Sequence, residues 1–222
     1  MSITIGLVSD NFSIVAADTR RTAGNEYADD SIKISRTNFG WMAAGGTKQF
    51  IEHFQELMRA EEVKTLYDVE TVFNLVHEYI SGTGCKRVDT NGFYYSLAHL
   101  QDNQLCFEVE MIDPLFGRRR IKYKNYLQVS TPENSERIQL ENKYNRLVQE
   151  KPNLKRIVYL IACLIEEASE MDKRISSICD YGIVLKQPDN KVMHLKLREK
   201  AETIKKEYEE KSDLSALMEI CD

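Results

Sequence analysis

Apolar residues along this chain switch back and forth between the two-residue period of a strand and the helical period, and the order of the switches limits the fold. Ile3, Ile5 and Leu7 alternate with Thr4 and Gly6; Ser9-Asp10-Asn11 breaks the run and Ile14 to Ala17 resume it. Residues 2–18 therefore read as two strands around a turn. Short strands are expected over Ile32 to Ile34 and Phe39 to Ala44, the second closing at Gly45-Gly46. Two amphipathic helices follow. The first carries Phe50, Ile51, Phe54, Leu57 and Met58 on one face with Thr47 as its N-cap, and the second carries Val69, Val72, Phe73, Val76 and Ile80 and ends at Gly82 and Gly84.

Residues 93–129 return to extended chain: Phe93 to Leu100 and Leu105 to Met111 around a hairpin loop at 101–104, then more strand from Arg120 to Val129. Thr131-Pro132-Glu133 predicts a helix start, because proline suits the first helical position and glutamate complements the helix dipole. That helix covers about 133–149. Past Pro152 another presents Ile157, Leu160, Ile161, Leu164, Ile165 and Ala168 on one face. A last hairpin, Ile178 to Lys186 and Lys191 to Leu197, precedes a charged helical segment from about Glu199. Two sheets with helix pairs on their outer faces would bury every apolar stripe, so the pattern predicts a layered α+β domain spanning residues 1–222.

Composition narrows the function. The 222 residues, 42% of them hydrophobic, can bury one sizeable core. A net charge of −5 gives no global case for nucleic acid or an anionic membrane. The basic run Arg118-Arg119-Arg120, Lys122 and Lys124 reads as a solvated strand face, with a partner or substrate contact as the alternative. Five cysteines at wide spacings form no zinc motif, and Cys106, Cys163 and Cys179 read as small buried hydrophobes. His53, His77, His99 and His194 are spaced unlike a shared metal site, so no metal or cofactor is expected. No signal peptide is expected, and no apolar run reads as long enough to span a bilayer. The expectation is a reduced, cytoplasmic protein.

The chemistry concentrates at the start. Ser2 follows the initiator methionine, and a small residue there permits methionine removal. An α-amino group titrates near neutrality, at about pH 7.7–8.0, so on a serine it can take the proton from its own hydroxyl. The segments Ser2-Ile3-Thr4-Ile5-Gly6, Ile14-Val15-Ala16-Ala17-Asp18-Thr19-Arg20, Lys33-Ile34 and Ala44-Gly45-Gly46 resemble proteasome β-type subunits. They are also similar to the bacterial proteasome-like peptidases, within the N-terminal nucleophile hydrolase superfamily. The spacing from Ser2 to Asp18 and Arg20 matches without a gap. One deletion before Lys33 and a shorter strand before Gly45 align the rest.

The resemblance implies a four-layer αββα sandwich and an amide hydrolase acting on a peptide or protein substrate. It implies Ser2 as nucleophile, Lys33 as the cation beside it, Asp18 as the partner holding Lys33, and the Gly45 N–H as oxyanion donor. Ser130 aligns with a serine near the family's N-terminal amine, though a helix-capping role beside Pro132 fits it equally. Thr22 and Gly46 fall at substrate-binding positions. A homo-oligomeric ring is implied, with room for an ATPase partner. The family's late Asp-x-x-Ser-Gly-Gly run is altered: Ser177 stands near the aspartate position and Asp180 near the serine. Two alternatives therefore stay open: a non-catalytic subunit on the same fold, and a small-molecule amide hydrolase.

Overall fold

The computed structural model describes residues 3–221 apart from 24–25, 30, 47, 61–62, 83–92, 114–116, 130–133, 150–152 and 190. Its first sheet is six-stranded and takes β1 (Ile3–Val8), β2 (Phe12–Asp18), β10 (Asn125–Val129), β11 (Ile178–Lys186), β12 (Val192–Lys200) and β13 (Glu219–Cys221), in the order β10-β1-β2-β11-β12-β13. The second is five-stranded, β5 (Ile34–Thr37), β6 (Gly40–Gly45), β7 (Phe93–Gln101), β8 (Gln104–Asp113) and β9 (Gly117–Lys122), in chain order. A separate two-stranded ribbon pairs β3 (Arg21–Ala23) with β4 (Glu26–Ala28). Every pairing among the described residues is antiparallel.

Strand alternation sorts the side chains. On the six-stranded sheet, Ile3, Ile5, Ile14, Ala16, Tyr181 and Ile183 face one way, toward α3 (Asn134–Gln149), α4 (Leu154–Met171) and α5 (Ala201–Lys211). Val15, Ala17 and Val184 face the other way and meet Trp41, Ala43, Ala98, Phe107 and Val109 of the five-stranded sheet. That second sheet turns Met42, Phe93, Tyr95 and Leu97 outward onto Phe50 and Phe54 of α1 (Lys48–Ala60) and Val69, Val72, Phe73 and Val76 of α2 (Leu66–Gly82). Trp41 is anchored between the sheets, its Nε1 donating to the Ile183 carbonyl at 3.1 Å. Full burial of such a side chain contributes roughly 2–3 kcal/mol, so this middle layer contributes much of what joins the sheets.

Local chemistry explains most boundaries. Thr65 caps α2 reciprocally: its Oγ1 accepts from Asp68 N–H, and the Asp68 carboxylate accepts from Thr65 N–H. Asn153 caps α4 by accepting from Arg156 N–H at 2.9 Å. Asp102 and Asn103, both at positive φ, make the tight β7–β8 turn, shorter than the loop expected there. The Thr47 cap, the Thr131-Pro132-Glu133 helix start and Cys85 lie outside the described residues.

Several expectations are corrected. The extended stretch expected over 120–129 divides between the sheets: β9 pairs with β8 in one, and β10 pairs with β1 in the other. The expected strand over residues 32–34 begins instead at Ile34. Beyond α5 the chain adds β13 to the edge of the six-stranded sheet. Finally, the basic run is not simply solvated. Arg118 binds the buried Glu110 carboxylate, and Arg120 binds buried Glu108 and Glu70 of α2. Cys179 is buried as expected, but Cys106 and Cys163 are only partly so. No helix among the described residues is long and apolar enough to cross a membrane.

Candidate active site

β2 ends on Asp18, whose side chain is completely buried. A buried carboxylate must find donors or lose its charge. Asp18 finds them from separate parts of the chain: Ile3 N–H donates to Oδ1 at 3.0 Å, Arg20 N–H to Oδ2 at 3.0 Å, and Ser176 N–H to Oδ2 at 3.3 Å. Lys33, just before β5, donates through Nζ to Oδ1 at 2.7 Å. The sequence-predicted Asp18–Lys33 pair is thus in direct contact. It sits where β1 begins, because Ile3 is held on the same oxygen that Lys33 reaches.

Lys33 is 13% exposed, and burial pulls its ammonium below the usual lysine range while Asp18 pulls the other way. An ammonium so held is poised to stabilise a negative charge forming beside it. Around the pair runs a second layer. Arg20 forks onto Asp29, with Nε to Oδ1 at 2.5 Å and the second nitrogen to Oδ2 at 2.6 Å, and it also donates to the Lys173 carbonyl. That fork holds the Asp29 carboxyl below its usual range. Ser176 is buried; its hydroxyl accepts from Thr19 at 3.3 Å and from Ile178 N–H at 3.0 Å.

Gly45 closes β6 and pairs with Tyr94 of β7. Close substrate approach is one reason for glycine at such a site, but the fold has its own: an added Cβ would lie 2.3 Å from both Cζ and Oη of Tyr94. Gly46 has φ 121°, a backbone that favours glycine, and is exposed. The Tyr94 hydroxyl meets Thr4 Oγ1 at 3.2 Å. Burial raises the phenol's pKa, the Thr4 bond opposes that, and the Asp18 charge adds to it. The aromatic ring thus belongs to the same neighbourhood as Asp18, Thr4 and Gly45.

Thr22 lies in β3 opposite Tyr27 of β4, so one backbone edge of that strand is taken by the ribbon. Ser2 and Ser130 lie outside the described residues. In the altered late run, Ser177 is exposed and it is Ser176 that reaches Asp18, through its backbone. Asp180 shares a strand face with Val184 of the inter-sheet layer and is fully buried. Neither of its oxygens meets a donor at hydrogen-bond geometry among the described residues. Sequence reasoning missed Ser176 and Tyr94: the first acts through a backbone amide, and the second is recognisable only from cross-strand register. Among the described residues no group of three or more His, Cys, Asp or Glu side chains is placed to hold a metal ion.

No protein-family model matches the sequence, and no curated protein does either. Solved structures do. Anbu from Hyphomicrobium sp. strain MC1 superposes with a TM-score of 0.62 at 12% identity, covering 94% of this chain and 94% of that one. Its (Gly-1) mutant gives 0.64 at 11% identity, covering 95% and 94%. The chain has the Anbu fold. The likeness extends over nearly the whole chain. At this identity the likeness concerns fold alone.

Proposed function

We propose that this chain is a self-compartmentalising, proteasome-like peptidase whose nucleophile is Ser2, exposed by removal of Met1. The observation that carries the reading is the convergence of Ile3 N–H and Lys33 Nζ on one oxygen of Asp18. Residue 2 is bonded to that same Ile3 nitrogen, and this covalent link is what ties the candidate nucleophile to the pair. In this reading the Ser2 amine takes the proton from the Ser2 hydroxyl as the oxygen attacks the scissile carbonyl. Lys33 and the Gly45 N–H stabilise the oxyanion, a kind of contact worth roughly 3–4 kcal/mol per donor. The amine returns the proton to the leaving amine, and water then releases the acyl group from Ser2. Asp18 positions Lys33, and Ser130 serves the N-terminal amine. Thr22 and Gly46 border the peptide, which adds beside the edge of β3 that β4 does not take.

The same reading makes residues 1–222 one domain and the helix–sheet–sheet–helix layering an αββα sandwich. Subunits assemble as a homo-oligomeric ring enclosing the sites in the cytoplasm, with an ATPase partner as a candidate feeder. The test is peptide cleavage by wild type and Ser2→Ala, with intact mass on both. Cleavage by a wild type lacking Met1, lost in Ser2→Ala, supports the reading; equal activity, or Met1 retained throughout, ends it. Hydrolysis of small amides but not peptides would redirect it to a small-molecule amidase.

One observation favours a second reading, a non-catalytic subunit. Ser177 carries no charge and is exposed, while Asp180 belongs to the inter-sheet layer, so the altered run supplies no carboxylate for the amine. Ring assembly without labelling by a covalent N-terminal-nucleophile probe would support that alternative.

A further inference from the structure

Two strands carry the proposed chemistry, and they belong to different sheets. β1 leads away from residue 2, and β6 ends on the Gly45 amide. Thr4 is 3% exposed and Tyr94 7%, and their hydroxyls meet at 3.2 Å across the layer between the sheets. The Tyr94 ring and hydroxyl cover the Gly45 α-carbon, where a Cβ would come within 2.3 Å. One side chain therefore touches both strands at the end of the molecule where Asp18 and Lys33 meet.

We propose that Tyr94 is a positioning residue that clamps the strand leading from Ser2 to the strand ending on Gly45. The inference rests on the peptidase reading above and deepens it. Two buried hydroxyls bonded to each other hold a set separation, because parting them leaves each unsatisfied. Thr4 lies two residues along the chain from Ser2. The ring, in turn, sets how far Gly45 can move toward β1. Nucleophile and oxyanion donor would thus be spaced by one phenol, and misplacement by about 1 Å can cost about a hundredfold in rate. The role also explains why a glycine must stand at 45 whether or not substrate approaches.

The experiment uses the full chain with Tyr94→Phe, Thr4→Val and the double variant, measuring thermal melting and steady-state peptide cleavage. The melting losses of the two single variants should not add, because each breaks the same bond. In cleavage, each single variant should lower kcat about tenfold with KM within about twofold, and the double variant should be no worse. Additive melting losses overturn the clamp. Coupled melting with wild-type kcat overturns the positioning role and leaves a structural bond. A rise in KM alone overturns it also, assigning Tyr94 to substrate binding. A wild-type protein that neither cleaves peptide nor takes a covalent nucleophile probe defeats the peptidase reading and with it the positioning role, while coupled melting still upholds the clamp.

Discussion

Asp18 and Asp180 are both completely buried, yet their surroundings are opposite. Asp18 receives three backbone N–H groups and the Lys33 ammonium. Asp180, beside Ala17 in the sheet register, receives no donor of good geometry among the described residues. Burial raises its carboxyl above the usual range, tempered by Lys196, Arg198, the Ile34 amide and Lys33. Two carboxylates on adjacent strands are thus divided by solvation alone. The protein surrounds one with donors and leaves the other where a neutral acid fits better. A site is recognised by which buried charge the backbone converges on, rather than by which carboxylate is buried.

The largest effect should come from removing the solvated charge. Asp18→Asn leaves the Lys33 ammonium buried without its counter-charge, and breaking a buried pair this way typically costs about 3–5 kcal/mol. Urea unfolding should register a loss of that size, with cleavage abolished. A loss below about 1 kcal/mol would mean that Asp18 is no better served than Asp180.

Asp180→Asn should act in the opposite direction. The folded protein holds the Asp180 proton more tightly than the unfolded chain does. Its contribution to stability is therefore complete below the unfolded value near pH 3.9 and is lost as pH rises through the higher folded value. Asparagine removes that loss, so the variant should be more stable than wild type at pH 8 and little different near pH 4. Denaturant unfolding at the two pH values measures the difference. A variant less stable at pH 8 would show that Asp180 is charged and paired, and the contrast with Asp18 would fail.

The smallest effect is expected outside the pair. Arg20→Gln removes the fork on Asp29 but keeps the Arg20 backbone amide on Asp18. The Arg20 side chain is partly exposed, so stability should fall by less than about 1 kcal/mol, with cleavage largely retained. A collapse of activity comparable to that of Asp18→Asn would place the Arg20–Asp29 fork inside the catalytic machinery.

How much of this was legible depends on what each residue does. The helix stripes of α1, α2 and α4 read directly, because a buried face leaves a period. Asp18 and Lys33 were legible through their resemblance to a known pattern and meet as that pattern implies. Ser176 was not, since any residue could donate the backbone N–H it contributes. Tyr94 was hidden because its partners, Thr4 and Gly45, are set by register within one sheet and by packing between two. The break between β9 and β10 falls at Tyr123 and Lys124, which carry none of the usual turn chemistry. In the basic run, alternation marked a face but could not reveal that Glu108 and Glu110 lay buried opposite.

The central claim is that the Asp18–Lys33 pair serves a nucleophile at residue 2. Its most direct measurement is the mass of the purified protein before and after reaction with a covalent probe that captures an N-terminal hydroxyl and amine together, with the adduct mapped by peptide sequencing. The account predicts a chain lacking Met1, modified once, on Ser2, and no adduct in Ser2→Ala. A chain that retains Met1, or an adduct on any other residue, would contradict it.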